Sequence, residues 1–518
     1  MEGNGYKLVV GVDDGTTFTG IAYVLIRAGD QMGSENISSI NKWPSSIGEQ
    51  PSAPSLISYR QDGGPHLWGF EVNPEMRSYA WKKLLLDRNP QRDEFGDDLL
   101  ERVTGSEIMK LPDQKEAGEA VADYLFSGLR LHPAPYPRKA RWSGNTQFLM
   151  RQAIQRAGFG TSFLHRVWTI TEPEAAALAV FSDGKFNLKQ HDGVLICDCG
   201  GGTVDIATYY VTDVDPATSL EQITTVMGAK CGGTAINSGF YQLLFHRLGG
   251  DFDRLMSQIR PRSLVMSRFE TIKTGFTGEG GNGWHFHFNL SAPGADPTFS
   301  NHRRGRVVLQ PEDVRALYEP VLSKIFGLIL SQISAANGKC GRDVINKVVL
   351  VGGFSASPYL QERLRHALNH IGNISVLVPR SPGEAIARGA ALQGIRGHSI
   401  ETYKCWRHYG LASVQPFDLS HGSESQGLGI GSNALPVNLL PHLLHKDQRY
   451  PKDFQTCQKI QLLHWEHDLQ TKPVEIYESN LQVASQRLEN SGKSSAFAST
   501  VSRNSPQVIG IAEKNTFI

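Results

Sequence analysis

Two stretches of the chain share one pattern of apolar and polar positions. The apolar run Leu8-Val9-Val10-Gly11-Val12 ends on Asp13-Asp14, turns through Gly15-Thr16-Thr17 and resumes at Ile21-Ala22-Tyr23-Val24. Val194-Leu195-Ile196-Cys197 likewise ends on Asp198, turns through Gly200-Gly201-Gly202-Thr203 and resumes at Val204-Asp205-Ile206-Ala207. Short apolar runs bounded by glycine turns read as strands. Each stretch is therefore predicted to be a hairpin with a carboxylate where its first strand meets the turn. Glycine leaves no Cβ in a ligand's way, and successive N–H groups in such a turn can converge on an anion. A carboxylate beside an anion cradle repels a bare phosphate, so a bridging cation is the natural third party. One copy alone reads equally well as an ordinary glycine hairpin; two copies favour a metal–phosphate site.

A second repeated pattern lies downstream of each hairpin. Thr171-Glu172-Pro173-Glu174 and Ser381-Pro382-Gly383-Glu384 both have capping-box spacing with an early proline. Each opens a helix rich in small residues, Ala175-Ala176-Ala177 in one and Ala387-Arg388-Gly389-Ala390-Ala391 in the other. The two patterns together suggest an internal duplication, about residues 6–190 against 191–395. Two such halves face to face would set their turns across a common cleft. Helical periods are also read over residues 114–130, 147–158 and 264–274, a further helix after Gly232-Gly233, and a strand over Phe163 to Ile170. The segment from Ala80 to Leu86 can be helical, and either Lys82 or Lys83 could reach a phosphate there. A helix with Ser357 as N-cap and Pro358 at its first position follows the strand-and-turn Val348-Val349-Leu350-Val351-Gly352-Gly353-Phe354. Its start favours negative charge, so a nucleoside site is read at that turn. Alternating Trp284, Phe286 and Phe288 suggest a small sheet. The prolines at 133, 135 and 137 exclude a central strand there. After about residue 396 strands are expected near 409–414 and 474–479, and from Leu481 a polar, serine-rich tail without structure.

Composition changes this picture little. A chain of 518 residues is too long for one core. With 40% hydrophobic residues, 20% charged residues and a formal net charge of +1, it shows no basic footprint for nucleic acid. No apolar run is read as spanning a bilayer. Six irregularly spaced cysteines argue against a disulfide scaffold. Cys197 and Cys199 are read as packed core thiols rather than metal ligands, and the expected setting is cytoplasmic.

Taken as an ordered set, these segments resemble the 70-kDa heat-shock protein family within the actin-like ATPase superfamily, most closely its divergent branch related to heat-shock protein family A member 12. The matching segments are Asp13-Asp14-Gly15-Thr16-Thr17, Glu172-Pro173-Glu174-Ala175-Ala176-Ala177, Asp198-Cys199-Gly200-Gly201-Gly202-Thr203 and Gly352-Gly353-Phe354-Ser355. The resemblance covers about residues 6–395. It implies an α/β chain with a duplicated, ribonuclease-H-like ATPase fold, two lobes around a nucleotide cleft, and a reduced β-rich C-terminal region. The expected divisions are residues 1–190 with an insert at about 40–130, 191–395 with an insert at about 228–311, 396–480, and a tail at 481–518.

The resemblance also implies the ligands, ATP or ADP with Mg2+. Gly15, Thr16, Thr17 and Gly200, Gly201, Gly202 would hold phosphates, with Gly232 and Gly233 touching them. Asp13 and Asp198 would hold the metal through waters. Glu172 would orient a metal-bound water, Thr203 would sit near the attacking water, and Lys82 falls where the family places a phosphate-reaching lysine. Glu270, Lys273, Gly352, Gly353 and Phe354 would flank the nucleoside. Implied partners are adenine nucleotide, unfolded client proteins and co-chaperones, with no nucleic acid and no membrane.

Several positions depart from the family pattern. Asp14 stands where an apolar residue is usual, and Thr274 and Ala356 stand where arginines are usual. A strand ending in Val-Pro-Ala is missing before Trp142-Ser143, Lys139 replaces a proline used in switching, and the leucine-rich linker is absent near Gln393 to Glu401. Three functions follow as alternatives. The first is slow ATP hydrolysis coupled to lobe closure and client folding. The second is a non-catalytic, nucleotide-dependent interaction protein. The third is a small-molecule kinase, for which no acceptor motif is found.

Overall fold

The computed structural model describes residues 6–27, 34–60, 64–86, 106–129, 146–160, 165–182, 186–214, 219–279, 286–292, 300–301 and 306–396, apart from isolated positions. Beyond these it describes 400–404 and strand segments within 408–451, 456–457, 471–479, 496–502 and 510–511. The proline-rich stretch 131–139, Lys139 and Trp142-Ser143 lie outside the described residues. The chain divides into two compact units, one drawn mainly from residues 1–137 and 149–401 and the other mainly from 402–515.

Both predicted hairpins form in the first unit. Strand β1 (Tyr6–Asp14) runs antiparallel to β2 (Phe18–Arg27), which sets Asp13 opposite Gly20 and Asp14 opposite Thr19. The second hairpin joins β3 (Gly193–Cys199) to β4 (Val204–Asp213) and sets Asp198 opposite Asp205. With β5 (Ser219–Gln222), β6 (Ile345–Val351) and β7 (Ser375–Leu377) it builds a sheet in the order β7-β6-β3-β4-β5. Strand β3 pairs parallel with β6 and antiparallel with β4, and every one of its positions is buried. A strand covered on both faces has no polar side, which is why its sequence is an unbroken apolar run.

Of the two predicted capped helices the first forms with its cap; at the second, Ser381 makes no side-chain cap, Pro382–Glu384 is a 3-10 turn and the α-helix begins at Ala385. Helix α1 (Glu172–Ser182) starts with the Thr171 hydroxyl accepting from the Glu174 N–H at 3.2 Å. Helices α2 (Thr234–Leu248), α3 (Leu264–Gly275), α4 (Pro311–Cys340), α5 (Pro358–Gly372) and α6 (Ala385–Arg396) complete the set used below. Helix α4 is long and apolar enough to cross a membrane by length and composition. Its buried residues Val314, Tyr318, Val321, Ile325, Ile329 and Ile333 recur at helical spacing and join one core cluster with Leu195, Ile206, Phe240, Phe269 and Leu350. It is a core helix of this unit.

The small residues of α1 and α6 bring those helices into backbone contact. A Cβ added at Gly389 of α6 would overlap the Ala175 carbonyl oxygen of α1. One added at Gly11 of β1 would overlap the Ala387 carbonyl oxygen of α6. The two helices that resemble each other in sequence therefore cross at their small faces, and β1 lies directly on the second. Gly389→Ala should cost about 2–3 kcal/mol in denaturant unfolding, since neither backbone can yield cheaply. An unchanged midpoint would show that the crossing has room.

Three expectations need correction. Residues 165–170 are not a strand. A strand needs a neighbour to receive its N–H and C=O groups. Among the described residues β1 pairs only with β2, and Val167 and Trp168 remain 44% and 47% exposed. The segment read as a helix over Ala80 to Leu86 is instead the end of a short strand, Ser78–Ala80, followed by a 3-10 turn, Lys82–Leu86. Between them Trp81 has φ +56°, which no helix accommodates. The tail is not without structure throughout: Ala496–Ser502 pairs antiparallel along Thr471–Ser479. Its hydroxyl and small side chains carry little apolar signal, but the backbone completes a ladder.

The second unit's described segments are strands. His408–Leu411 lies between His442–Leu444 and Thr471–Ser479, with Ala496–Ser502 outermost. Ser413–Gln415 pairs with Val437–Leu439, so the strand read over 409–414 falls on two strands in different sheets.

Candidate functional site

The two turns meet. A Cβ on Gly201 would overlap the Thr17 hydroxyl, and one on Gly202 would lie 3.2 Å from the Thr16 methyl. The first turn is held from behind: the Ser55 hydroxyl donates to Gly15 O at 2.7 Å, and Ser55 N–H donates to Thr17 O at 2.8 Å. The second closes on itself through Gly200 N–H to Thr203 O at 2.9 Å. A third loop clamps it. Gly233 N–H donates to Gly200 O at 3.1 Å, while the Thr234 N–H and hydroxyl both donate to Gly201 O at 2.8 Å. Gly232 packs on the Gly200 and Gly201 carbonyls so closely that a side chain there would overlap them. The sequence thus brings Gly15, Thr16, Thr17, Gly200, Gly201, Gly202, Gly232 and Gly233 into one cradle, whose third wall is the start of helix α2.

Carboxylates gather at the base of this cradle. Burial, then Glu172, Asp13 and Asp205, hold the Asp198 carboxyl well above its ordinary range. Burial, then Glu172 and Asp14, push Asp13 up to about 8, with Lys83 acting against them. Asp205 is pushed up to about 7 by burial and Glu172, offset by a hydrogen bond from the Thr203 hydroxyl and by Lys83. Lys83 donates to Glu172 at 2.5 Å. Burial opposes the Lys83 charge, but Glu172, Asp14 and Asp13 together raise its pKa above the lysine range. Like charges this close destabilise one another in a low-dielectric setting.

The donor set fits a hard divalent cation. Asp198 Oδ1 is buried without a hydrogen-bond partner. Four carboxyl groups face one lysine, and hard oxygens are what Mg2+ prefers. Among the described residues no three His, Cys, Asp or Glu side chains converge as direct ligands. Cys197 and Cys199, with sulfurs 3.5 Å apart, point into the core beside Cys231.

The turn after β6 closes the other end. Gly352 has φ +85°, a conformation open to glycine. A Cβ there would overlap Asp198 Oδ1 and Cys199 O, so no side chain fits between this turn and the carboxylate. Gly352 N–H donates to Pro382 O at 2.9 Å, and Gly233 lies against the Phe354 ring. Lys273 donates to Glu270 and to Asn237 Oδ1, each at 2.8 Å. Tyr318 ties this cluster to the turn, its hydroxyl donating to Lys273 O at 2.5 Å with Ser357 Oγ 3.2 Å away. Glu270, Lys273, Gly352, Gly353 and Phe354 therefore belong to one connected region. Thr274 folds its hydroxyl back on Glu270 O at 2.7 Å, and Ala356 is exposed.

Lys82 is the exception. It is fully buried away from Glu172, its ammonium 3.3 Å from the centre of the Tyr124 ring and donating to Ser55 O at 3.1 Å. Burial lowers its pKa to about 8 against the pull of Asp14. Adjacent Lys83 takes the place at the carboxylates; both lysines turn into the protein, Lys82 toward Tyr124 and Lys83 toward Glu172. Sequence reasoning passed over Asp205 and Asn237. Asp205 could have been found by counting: a hairpin that turns through Gly200 to Thr203 and pairs Cys199 with Val204 must set Asp198 against Asp205.

A model of the family described as Hsp70 protein matches residues 149–420, more than half of the chain. The chain is 29% identical to the chaperone protein DnaK of Psychrobacter cryohalolentis over 226 residues, 43% of this chain and 33% of that protein. It is 26% identical to human heat shock 70 kDa protein 12B over 249 residues, 44% of this chain and 35% of that protein. The matched part spans about a third of each relative's length. With its paired carboxylate hairpins, its crossed small-residue helices and this match, the chain belongs to the Hsp70 family.

Proposed function

We propose that the chain binds ATP with Mg2+ at the meeting of the two turns and hydrolyses it slowly. The observation that carries this reading is the contact of Thr16 and Thr17 with Gly201 and Gly202 directly above Asp13, Asp198 and Glu172. Phosphoryl transfer to water needs positioning and charge neutralisation more than covalent help. A bound Mg2+ would supply that neutralisation, held through water by Asp13 and Asp198. Lys83 pairs with the Glu172 carboxylate and orients it. Asp205 accepts from the Thr203 hydroxyl, which fixes that oxygen near where an attacking water would stand. The Gly352-Gly353 turn and the Glu270–Lys273–Asn237 cluster would receive the nucleoside. Nucleotide state would then bias closure of two lobes and, through it, the handling of client proteins.

A non-catalytic, nucleotide-dependent interaction protein is the second reading. It is favoured by the departures at Asp14, Thr274 and Ala356 and, among the described residues, by β1 pairing only with β2 while Val167 to Ile170 form no strand. Single-turnover phosphate release separates the two. Thr203→Ala should retain Mg2+–ATP binding while release falls roughly 10²-fold. Release insensitive to this change would leave the second reading in place, and ATP failing to associate at millimolar concentration would end both.

A further inference from the structure

Helix α5 presents a feature that the nucleotide reading does not use. Ser357 caps it and Pro358 opens it. Tyr359, Leu360, Leu364 and Leu368 face the core. The opposite face carries Glu362, Arg363, Arg365, His366, Asn369 and His370, all exposed. Residues four apart stand one above the other on a helix. Accordingly His366 and His370 bring their Nε2 atoms to 3.4 Å, with ring centres 4.6 Å apart and planes at 67°.

That separation has a chemical meaning. Two imidazole nitrogens bound tetrahedrally to one cation, each at about 2.0–2.1 Å, stand roughly 3.3–3.4 Å from each other. The apo spacing already matches this chord, on a helix whose backbone is fixed by its cap and its buried face. The neighbouring cations are engaged elsewhere: Arg363 pairs with Glu319, and Arg365 donates to Gln361 Oε1 at 3.1 Å. We propose that His366 and His370 form a two-histidine clamp for a borderline-soft divalent cation of the zinc, nickel or copper type. Imidazole suits these ions, whereas Mg2+ and Ca2+ take oxygen. The clamp is therefore chemically distinct from the carboxylate site and does not depend on ATP binding. Among the described residues no third His, Cys, Asp or Glu converges with the pair. Water completes the shell, and the ion is exchangeable rather than structural.

The test uses the full chain and Zn2+ as probe, titrated against a chromophoric chelator in excess Mg2+. Wild type should hold one equivalent that His370→Ala loses, the affinity falling roughly 10²-fold because joining two ligands on one scaffold is what gives the clamp its strength. A second variant, Arg365→His combined with His370→Ala, keeps two histidines but sets them on adjacent positions that face apart; it should behave like His370→Ala. Both changes are on the exposed face, so thermal unfolding without Zn2+ should be the same for all three proteins. The Zn2+-dependent rise in melting temperature should be confined to wild type. Superimposable titrations of wild type and His370→Ala, or full retention by the adjacent pair, would overturn the clamp.

Discussion

Asp198→Asn is expected to stabilise the metal-free protein while it removes phosphate release. The two effects share one cause. In the apo state the Asp198 carboxylate is buried among Glu172, Asp13 and Asp205, with a single lysine at Glu172. An amide of the same shape removes charge repulsion and desolvation cost, so the melting temperature in chelator should rise at neutral pH. The same amide cannot neutralise a cation, and single-turnover release should fall roughly 10²–10³-fold, as when other preorganised electrostatic groups are deleted. The pH dependence follows from linkage. A carboxyl whose folded-state pKa is raised holds its proton more tightly in the folded chain. Its contribution is full below the ordinary value of 3.8 and is lost as pH climbs through the folded values, about 7 for Asp205 and about 8 for Asp13. Metal-free wild type should therefore lose stability between about pH 4 and pH 8, and Asp198→Asn should flatten that slope. Thermal unfolding across this range, with and without Mg2+–ATP, measures both. A wild-type melting temperature that climbs with pH would mean that these carboxyls are not buried together.

Lys82→Met should be the most damaging single change outside the cradle, costing about 3–5 kcal/mol. Lys82 lies in a buried polar cluster: Asp14, 1% exposed, accepts from Thr19, Tyr124 donates to Thr19, and Lys82 sits over the Tyr124 ring. Asp14 Oδ2 is buried with no hydrogen-bond partner, and Lys82 feels its pull. Removing Lys82 takes a positive charge away from the neighbourhood of buried Asp14, together with the ring and carbonyl contacts of its ammonium. Replacing both members should recover much of the loss, because an apolar pair avoids both desolvation penalties. The cycle of Lys82→Met, Asp14→Leu and the double variant should give a coupling energy of about 1–3 kcal/mol in denaturant unfolding. Additive effects would show that the two groups do not sense each other.

This pair also shows what the sequence could and could not convey. Asp14 reads as an extra negative charge beside the turn and Lys82 as a phosphate-reaching lysine. Each reading is local, and the long-range fact is that they compensate one another. The hairpins, the Thr171 cap and the glycine turns were legible because their signals are short-range: an apolar run, a Thr three residues before Glu, a glycine where backbones touch. The meeting of the two turns was legible from duplication. The choice between Lys82 and Lys83 was not, since it rests on the left-handed backbone of Trp81, a residue with no intrinsic preference for that conformation. The strand expected over Phe163 to Ile170 failed for a different reason. Val167 and Trp168 have strand-like character, but strand character is realised only beside a neighbour, and among the described residues none pairs with them.

The seating of β1 on α6 also sets an order of events during synthesis. Val9, Ala22 and Val24 share their small core with Ala387, Ala391 and Leu392, nearly the whole first unit later in sequence. A nascent chain leaving the ribosome N-terminus first must carry that hairpin uncovered until α6 emerges. Contacts so distant close late and slowly, so this hairpin is among the last elements of its unit to find its cover.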